Sequence, residues 1–309
     1  MSNVLVKSVE MESPSLDELL RTIDSRPTAS AYQSGAHALR NLRERLRPIR
    51  VGILATFTAE PLIPFLEVES ARLGFAADIY QGPFNAVRQE LLDPGSGCIA
   101  HDPRVVIIAQ LLEDVCPPLV DDFLGLSGDE IDGHVTTLLA SMRGALETFR
   151  RHSSAAVVLH NFALPSQPAL GIGEVSAVRS QTRTIRLLNE KLVELASNFQ
   201  DVYVLDFDRH CAEVGYRQWR HEEMWYTGRA PLSNPMLPQL ARSQAAFLQA
   251  IAGSPRKCLV VDLDNTLWGG VIGEDGVAGI QLGHTYPGNL YREAQRYILQ
   301  LHRRGVLLA

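Results

Sequence analysis

Two aspartates that follow a short apolar run are the side chains best placed for chemistry. Residues 258–261 predict a strand buried on both faces, and Asp262 and Asp264 come directly after it. Because successive side chains of a strand point to opposite faces, the two carboxylates share one face at the carboxyl end of this strand. Mg²⁺ prefers one or two carboxylates together with waters and phosphate oxygens. The pattern therefore predicts a metal-assisted phosphate site.

The same spacing indicates a division of roles between the two carboxylates. Asp262 is suited to be both a metal ligand and a nucleophile that attacks phosphorus, because an aspartyl-phosphate divides one difficult step into two easier ones. Asp264 is suited to protonate the leaving oxygen. A surface Asp-Asn turn after a core strand is the structural alternative. The loop that we predict to contact the phosphate contains Asn265, Thr266, Gly269 and Gly270.

This segment resembles the first motif of the haloacid dehalogenase (HAD) superfamily, through residues 260–266, Val-Val-Asp-Leu-Asp-Asn-Thr. The extension over residues 267–276, Leu-Trp-Gly-Gly-Val-Ile-Gly-Glu-Asp-Gly, resembles the FkbH-like branch, of the HAD-IIIC type. The resemblance implies Asp262 as nucleophile, Asp264 as general acid and base, and Mg²⁺ held by both, the second through its side chain or its backbone carbonyl. It also implies an activity in polyketide-type biosynthesis: phosphate is removed from 1,3-bisphosphoglycerate, and the glyceryl unit is loaded onto an acyl carrier protein as a thioester.

The sequence after the motif is short for this superfamily. Only 47 residues follow Asp262, whereas HAD proteins use a later Ser or Thr, a Lys and a further acidic pair. Residues 303–309 are typical of a helix end, a Gly stop and the beginning of a strand. We therefore expect a chain truncated after the first HAD motif. A non-catalytic module that binds the carrier protein and a plain HAD small-molecule phosphatase are the alternatives to the transferase.

The composition is that of a globular protein with no electrostatic preference for nucleic acid. The 309 residues are 46% hydrophobic and 21% charged, with a net charge of −6. A chain of this length buries a sizeable core and holds about two domains. Its negative charge gives no attraction to nucleic acid or to an anionic membrane. Four cysteines without metal-ligand spacing, and no signal peptide or membrane-spanning apolar run, predict a cytoplasmic protein.

Upstream of the motif, strands and helices alternate. We predict strands at residues 49–55, 77–80, 104–109, 155–160 and 202–205. We predict helices at residues 31–45, 62–73, 85–92, 129–151, 175–198 and 238–251, with a capping box at residues 15–18. Strands joined through helices imply a doubly wound parallel sheet with helices on both faces, a three-layer α/β fold. The predicted segments are a helical N-terminal part (1–48), this α/β domain (49–215), a helical connector (216–255) and the beginning of a HAD-like Rossmannoid domain (256–309).

The carboxyl ends of these strands are where such sheets bind ligands. The strand order and the strand ends resemble SGNH-type esterases and flavodoxin-like folds. The Gly-Asp-Ser nucleophile block of the esterases is replaced here by Ala-Thr-Phe-Thr at residues 55–58, and no Asp-x-x-His block lies near residues 206–210. Two interpretations follow. The domain is either an active esterase that uses a threonine and a histidine, or a degenerate domain that binds a ligand or serves as a scaffold. The candidate pocket residues are Thr56, Thr58, Asn161 (at an oxyanion-hole position) and His210.

Four further features have a structural and a functional interpretation. The aromatic and charged residues of 216–236 indicate interdomain packing or a substrate-contacting hinge. The basic residues of 40–50 indicate a solvated helix end or a carrier-protein contact. His160 is typical of a structural histidine. Cys258 lies about 13 Å from Asp262 along an extended strand, which favours a core residue over a thiol that relays the acyl group.

Overall fold

A computed structural model describes residues 15–253 and 257–309 of the chain. Its contacts divide the chain after Ala252 into an N-terminal unit and a C-terminal unit, Gly253–Ala309, and each is described by itself. Predictions for residues 1–14 and 254–256 lie outside the described residues. None of the described helices is both long enough and apolar enough to span a membrane.

The N-terminal unit is built on a sheet of five parallel strands in the order β2-β1-β3-β4-β5. The predicted fold class is thereby confirmed, and each predicted strand lies within two residues of the observed bounds. Val51 in the central strand pairs with Ile79 on one side and Val105 on the other. The strands are β1 (Arg47–Ala55), β2 (Phe75–Gln81), β3 (Val105–Ala109), β4 (Ala156–His160) and β5 (Val202–Leu205).

Helices connect and flank these strands, and local capping decides where several of them begin. The Ser15 side chain accepts a hydrogen bond from the Glu18 backbone amide, and the Glu18 carboxylate accepts from the Ser15 amide, which confirms the capping box. The helices are α1 (Leu16–Ser25), α2 (Ala29–Leu39), α3 (Ile63–Arg72), α4 (Val87–Leu92), α5 (Gly97–His101), α6 (Leu112–Val115), α7 (Pro118–Asp121), α8 (Gly128–Arg150), α9 (Gln181–Ser197), α10 (Phe207–Val214), α11 (Glu222–Gly228) and α12 (Met236–Ala252).

Two predicted helix bounds are wrong. The helix predicted from residue 175 begins at Gln181, because the Ser180 hydroxyl caps it by accepting a hydrogen bond from the Arg183 amide. The helix predicted over 31–45 ends at Leu39 and continues as a 3-10 helix, Arg40–Arg45. Three further 3-10 helices are Glu60–Leu62, Phe123–Gly125 and Gly171–Gly173.

The sheet is buried on both faces by separate apolar clusters. Ile107 belongs to the cluster that also contains side chains of α1, α2, α3 and α12, and Ile108 belongs to the cluster with α4, α8 and α9. Successive side chains of β3 therefore face opposite helix layers, which explains its continuous apolar sequence. Leu20 and Leu240 lie in the same cluster, so the helices before β1 and after β5 complete the core of this unit.

The C-terminal unit contains two short parallel strands, β6 (Cys258–Leu259) and β7 (Leu307–Leu308), with two helices, α13 (Ile272–Gly279) and α14 (Gly288–Arg303). The predicted burial of this strand on both faces is wrong, since Val260 is 77% exposed. Cys258 is exposed as well, not a core residue as the sequence indicates. The physical reason is that β6 has β7 as its one neighbouring strand among the described residues of this unit.

Candidate functional site

The two aspartates lie beyond β6, in the loop that leads to α13. Asp262 is exposed, and its Oδ1 accepts a hydrogen bond from the Leu263 amide at 2.9 Å. Oδ1 of Asp264 accepts from the Trp268 indole nitrogen at 3.0 Å and from the Ile272 amide at 3.1 Å. One oxygen of Asp264 is thus fixed by two donors, while its Oδ2 accepts no hydrogen bond from the described residues. Asp264 is oriented by its loop, and Asp262 stays open to solvent.

The loop after the aspartates closes on itself through Asn265. This residue has the left-handed φ of 56°, and its Oδ1 accepts a hydrogen bond from the Gly270 amide at 2.9 Å. Gly270 has φ 96°, which favours glycine, and a Cβ on Gly269 would lie 2.8 Å from Oε1 of Gln281. The predicted phosphate loop is therefore compact. The Thr266 hydroxyl makes no hydrogen bond within the described part of the chain, so it is free to meet a ligand.

The donor set at this loop fits Mg²⁺. Carboxylate oxygens are hard ligands, and Mg²⁺ usually takes one or two carboxylates from a protein and completes its shell with water and phosphate. Asp262 and Asp264 supply that number. Residues 15–253 and 257–309 contain no cluster of three or more His, Cys, Asp or Glu side chains that could form an all-protein metal cage. The remaining ligands would therefore come from water and substrate.

The two threonines after β1 use their hydroxyl groups to hold the fold. Oγ1 of buried Thr56 accepts a hydrogen bond from the Leu111 amide at 3.0 Å, which joins the ends of β1 and β3. Oγ1 of Thr58 donates to the Gly228 carbonyl at 2.6 Å, and the Thr58 amide donates to the Arg229 carbonyl. These contacts fasten β1 to the end of α11.

Asn161 makes structural hydrogen bonds, whereas Nδ1 of His210 is buried without a hydrogen-bond partner among the described residues. The Asn161 amide donates to Oδ1 of Asp206 at 2.8 Å and accepts from the Asp208 amide at 2.9 Å, which ties the end of β4 to the beginning of α10. Nδ1 of His210 lies 3.5 Å from Oε2 of Glu213 on the same helix. An oxyanion-hole role would require the Asn161 amide hydrogens to face substrate, and one of its donors is already used.

His160 is a buried neighbour of these residues. Its ring stacks on Phe207 at 5.4 Å between centroids, and its Nε2 lies 3.2 Å from Nε2 of Gln244. Burial lowers the pKa of His160 to about 3, with a smaller contribution from the nearby His210. The histidine is therefore neutral at physiological pH, which agrees with the structural interpretation.

Two cavities lie at the carboxyl ends of β1 and β3, and the amide side chain of Gln110 lines both. One has a volume of about 380 Å³ and an apolar interior, and the other has about 440 Å³ and a polar lining. In a sheet of this strand order the crevice between β1 and β3 is the switch point at which ligands bind. Thr56 lines the first cavity, whereas Thr58, Asn161 and His210 line neither. The structure does not bring the four SGNH-like candidates into one pocket.

Arg220, a charged side chain at the polar cavity, belongs to residues 216–236, the segment that the sequence predicts to lie between two domains. Nη1 of Arg220 lies 2.7 Å from Oε1 of Glu113, and its guanidinium lies 4.1 Å from the Trp225 ring centre. Trp219 and Trp225 are buried in the core of the N-terminal unit, so residues 216–236 belong to this unit. The hydrophobic side chains pack against the sheet, which is the physical reason that the segment is not an exposed hinge.

Asp114 lies next to these cavities and beside Thr56. Burial raises the pKa of Asp114, and the Thr56 hydroxyl opposes this shift. Oδ2 of Asp114 is buried without a hydrogen-bond partner among the described residues. The sequence points to the strand end that contains Gln110 and Asp114, but it does not single out either residue or predict the two cavities. The strand order alone points to the switch point, but a cavity depends on how distant helices pack.

Comparisons with known proteins give matches to both a family and a solved structure. The model of the family described as FkbH, N-terminal domain matches residues 50–248. The N-terminal part of BF1531 from Bacteroides fragilis, described as containing a phosphatase domain and complexed with Mg, has a TM-score of 0.74 at 21% identity. That match covers 90% of this chain and 72% of that one.

Two weaker structural matches extend over almost the whole length of the matched enzymes and over two thirds of this chain. Axe2, an acetylxylan esterase from Geobacillus stearothermophilus, has a TM-score of 0.42 at 16% identity and covers 67% of this chain and 95% of its own. The lipase Lip_vut3 from a goat rumen metagenome has a TM-score of 0.42 at 9% identity, with 67% and 98% covered. No curated protein sequence matches the chain. The 0.74 match shows a shared fold, and no conclusion rests on the other two.

Proposed function

The chain belongs to the family of the FkbH N-terminal domain, and from this premise we propose that it is a Mg²⁺-dependent phosphatase and acyltransferase of HAD type. Its substrate would be 1,3-bisphosphoglycerate, and an acyl carrier protein would accept the glyceryl unit. The observation that carries the proposal is the loop after β6, in which Asp264 is fixed through one oxygen and Asp262 is exposed. The phosphatase domain and Mg named for the BF1531 fragment support the same class of reaction.

The exposed carboxylate is the group suited to attack phosphorus. In the first step, at the phosphate ester on C3, a bond forms between an Asp262 oxygen and phosphorus while the bond from phosphorus to the C3 oxygen breaks, so the acyl phosphate on C1 stays intact. Asp264 donates a proton to that leaving oxygen, and Oδ2 is the atom available to carry this proton because Oδ1 already accepts two hydrogen bonds. Asp264 then takes a proton from the water that cleaves the aspartyl-phosphate, which releases inorganic phosphate and restores Asp262.

The loop contributes orientation to this step. Asp262 through its carboxylate and Asp264 through its backbone carbonyl would hold Mg²⁺, which when bound neutralises charge on the phosphoryl oxygens. Asn265 and Gly270 keep the loop closed, so the two carboxylates remain at one end of β6. The Thr266 hydroxyl is free to donate to a phosphate oxygen.

Acyl transfer requires a second displacement at the carbonyl carbon of the acyl phosphate. The carrier thiol, as thiolate, forms the carbon–sulfur bond while the carbon–oxygen bond to phosphate breaks, so that phosphate leaves and the thioester remains. The exposed Cys258 is the first residue of β6 and pairs with Leu307 of β7, at the end of the strand away from Asp262. We therefore assign the thiol of the transfer step to the carrier protein.

The deciding experiment follows both products at once. The protein would be incubated with labelled 1,3-bisphosphoglycerate, Mg²⁺ and carrier proteins that bear the phosphopantetheine thiol, with free phosphate and acylated carrier measured together. We expect both products from the wild type, and from Asp262→Asn no carrier that bears the dephosphorylated glyceryl unit, since the amide replaces the nucleophile at nearly equal volume. Glu274→Gln is the matched control, because it removes an exposed carboxylate from the adjoining helix.

The other outcomes separate the alternatives. Free phosphate without acylated carrier would show that the protein is a small-molecule phosphatase and not a transferase. Binding of the carrier without either product would show that it is a non-catalytic carrier-binding module. Normal turnover by Asp262→Asn would remove Asp262 from the nucleophile role.

A further inference from the structure

The cavity of about 380 Å³ in the N-terminal unit has a floor made of hydrocarbon side chains. It lies between α4, α8 and the face of the sheet that carries Ile108. Its volume lies within the usual range of small-molecule sites, roughly 300–1,000 Å³. The buried apolar side chains that form the floor are Leu91, Ile108, Leu138, Leu146 and Leu159.

The polar side chains of this cavity lie at its mouth. Asn85, Arg88 and Ser141 are exposed, and Gln110 and His134 are half-buried. Arg88 makes no ion pair or hydrogen bond within the described residues, and no Asp or Glu lines the cavity. The acidic group near His134 is Glu130, one turn earlier on α8 and outside the lining. The mouth therefore presents a free positive charge above an apolar interior.

The Gln110 side chain adds a polar group to this mouth at the switch point. Gln110 follows β3, which together with β1 forms the crevice where ligands enter a sheet of this order. The Gln110 amide makes no hydrogen bond to the part of the protein that the structure describes. It is therefore available to a ligand that enters from the carboxyl edge.

We propose that this cavity binds the hydrocarbon chain of an anionic acyl compound, with the chain on the leucine floor and the carboxylate at Arg88 and Gln110. The apolar floor favours a chain, because each buried methylene is worth about 0.8 kcal/mol, or about fourfold in affinity. The free guanidinium favours an anion, because it can donate two hydrogen bonds to a carboxylate. This cavity is formed by residues of the N-terminal unit alone, and binding there does not depend on the proposed phosphatase reaction.

Straight-chain carboxylates of four, six, eight and ten carbons are the probes, with the matching alcohols as uncharged controls. Isothermal titration calorimetry on the full chain should show affinity rising about fourfold per added methylene until the floor is filled. The carboxylate should bind more tightly than the alcohol of equal length. Affinity that does not change with chain length, or no binding by any member of the series, would overturn the proposal.

Two variants test the floor and the mouth separately. Ala145→Phe places a ring on the floor and should abolish binding of the longer chains, whereas Gly144→Ala, where a Cβ meets open space, should bind as wild type. Arg88→Gln should weaken carboxylate binding and leave alcohol binding unchanged. Arg45→Gln removes an exposed charge elsewhere and should change neither.

These outcomes are independent of folding losses and of the phosphatase proposal. Arg88 is exposed, so its variant keeps the test decisive even where Ala145→Phe does not fold. Equal loss of carboxylate and alcohol binding in Arg88→Gln would overturn the assignment of the anion. Asp262→Asn should bind the probes like wild type, whether or not it releases phosphate.

Discussion

The two candidate strand ends differ in what the fold does with their polar side chains. After β1, the hydroxyls of Thr56 and Thr58 are bonded to the backbone of Leu111 and Gly228. After β6, Asp262 is exposed, and Asp264 is held through one oxygen with the other left open. Both ends carry oxygen groups at the carboxyl edge of parallel strands, yet only the second leaves them to a ligand.

The difference shows that residue type and position at a strand end are insufficient to identify a reactive group. A hydroxyl that already satisfies a buried amide cannot leave it without a cost of about 1–3 kcal/mol. The Asp264 contacts act differently, because they orient the carboxylate and keep an oxygen free. The hydrogen-bond partner therefore separates a structural side chain from a candidate catalytic one.

The largest effect is expected from Asp264, whose second carboxylate oxygen the fold leaves open. Asp264→Asn keeps an oxygen that accepts from Trp268 and Ile272 but removes the proton donor, so we expect kcat for phosphate release to fall about 10²–10⁴-fold. Thr56→Val, at the other strand end, should leave kcat within twofold. Steady-state assays of released phosphate check both. An equal fall in kcat in the two variants would contradict the assignment of a structural role to Thr56 and a catalytic role to Asp264.

The next effect concerns His160, at the end of β4. The pKa of His160 is about 3 in the folded protein, against about 6.5 in the unfolded chain. Below pH 6.5 the unfolded chain binds a proton that the folded protein does not, so stability is present above pH 6.5 and falls as the pH is lowered. Between pH 7 and pH 5 this histidine should remove about 2 kcal/mol from the free energy of unfolding.

The measurement is urea unfolding of the wild type and His160→Gln at both pH values. The variant has no titrating group at this position, so its loss of stability between pH 7 and pH 5 should be about 2 kcal/mol smaller. An identical pH dependence in the two proteins would mean that His160 is not kept neutral by burial.

The smallest effect is expected from Thr58. Thr58→Val removes the hydrogen bond to the Gly228 carbonyl and should lower the free energy of unfolding by about 1 kcal/mol. Thr58→Ser retains the hydroxyl and should recover most of that loss. Urea unfolding measures both, and phosphate release should be unchanged in each. A loss of activity that Thr58→Ser does not restore would contradict a purely structural role.

The sheet is the part of the fold that the sequence predicts well. A buried parallel strand is a short apolar run between turn residues, so β3 and β4 stand out in the sequence by local composition alone. Helix bounds depend on single caps, and the Ser180 cap moved the beginning of α9 by six residues from the predicted position. Exposure of β6 could not be predicted, because it depends on how many strands and helices gather beside it.

The candidate site residues likewise include some that local sequence predicts and others that depend on contacts between distant parts of the chain. Alternation along a strand places Asp262 and Asp264 together from local sequence. The bonds of Thr56 to Leu111 and of Thr58 to Gly228 join residues 55 and 170 positions apart, which no local pattern contains. The apolar cavity is also non-local, since α4 and α8 enclose it.

The shared packing of α2 and α12 on α3 has a consequence for synthesis of the chain. Leu20 and Leu240 enter one apolar cluster although more than two hundred residues separate them. A chain that emerges from the ribosome N-terminus first presents α3 with part of its apolar surface uncovered until α12 has been made. Such long-range closure slows folding and leaves apolar surface open to aggregation in the meantime. The apolar cluster of the N-terminal unit can therefore close only after α12 has left the ribosome.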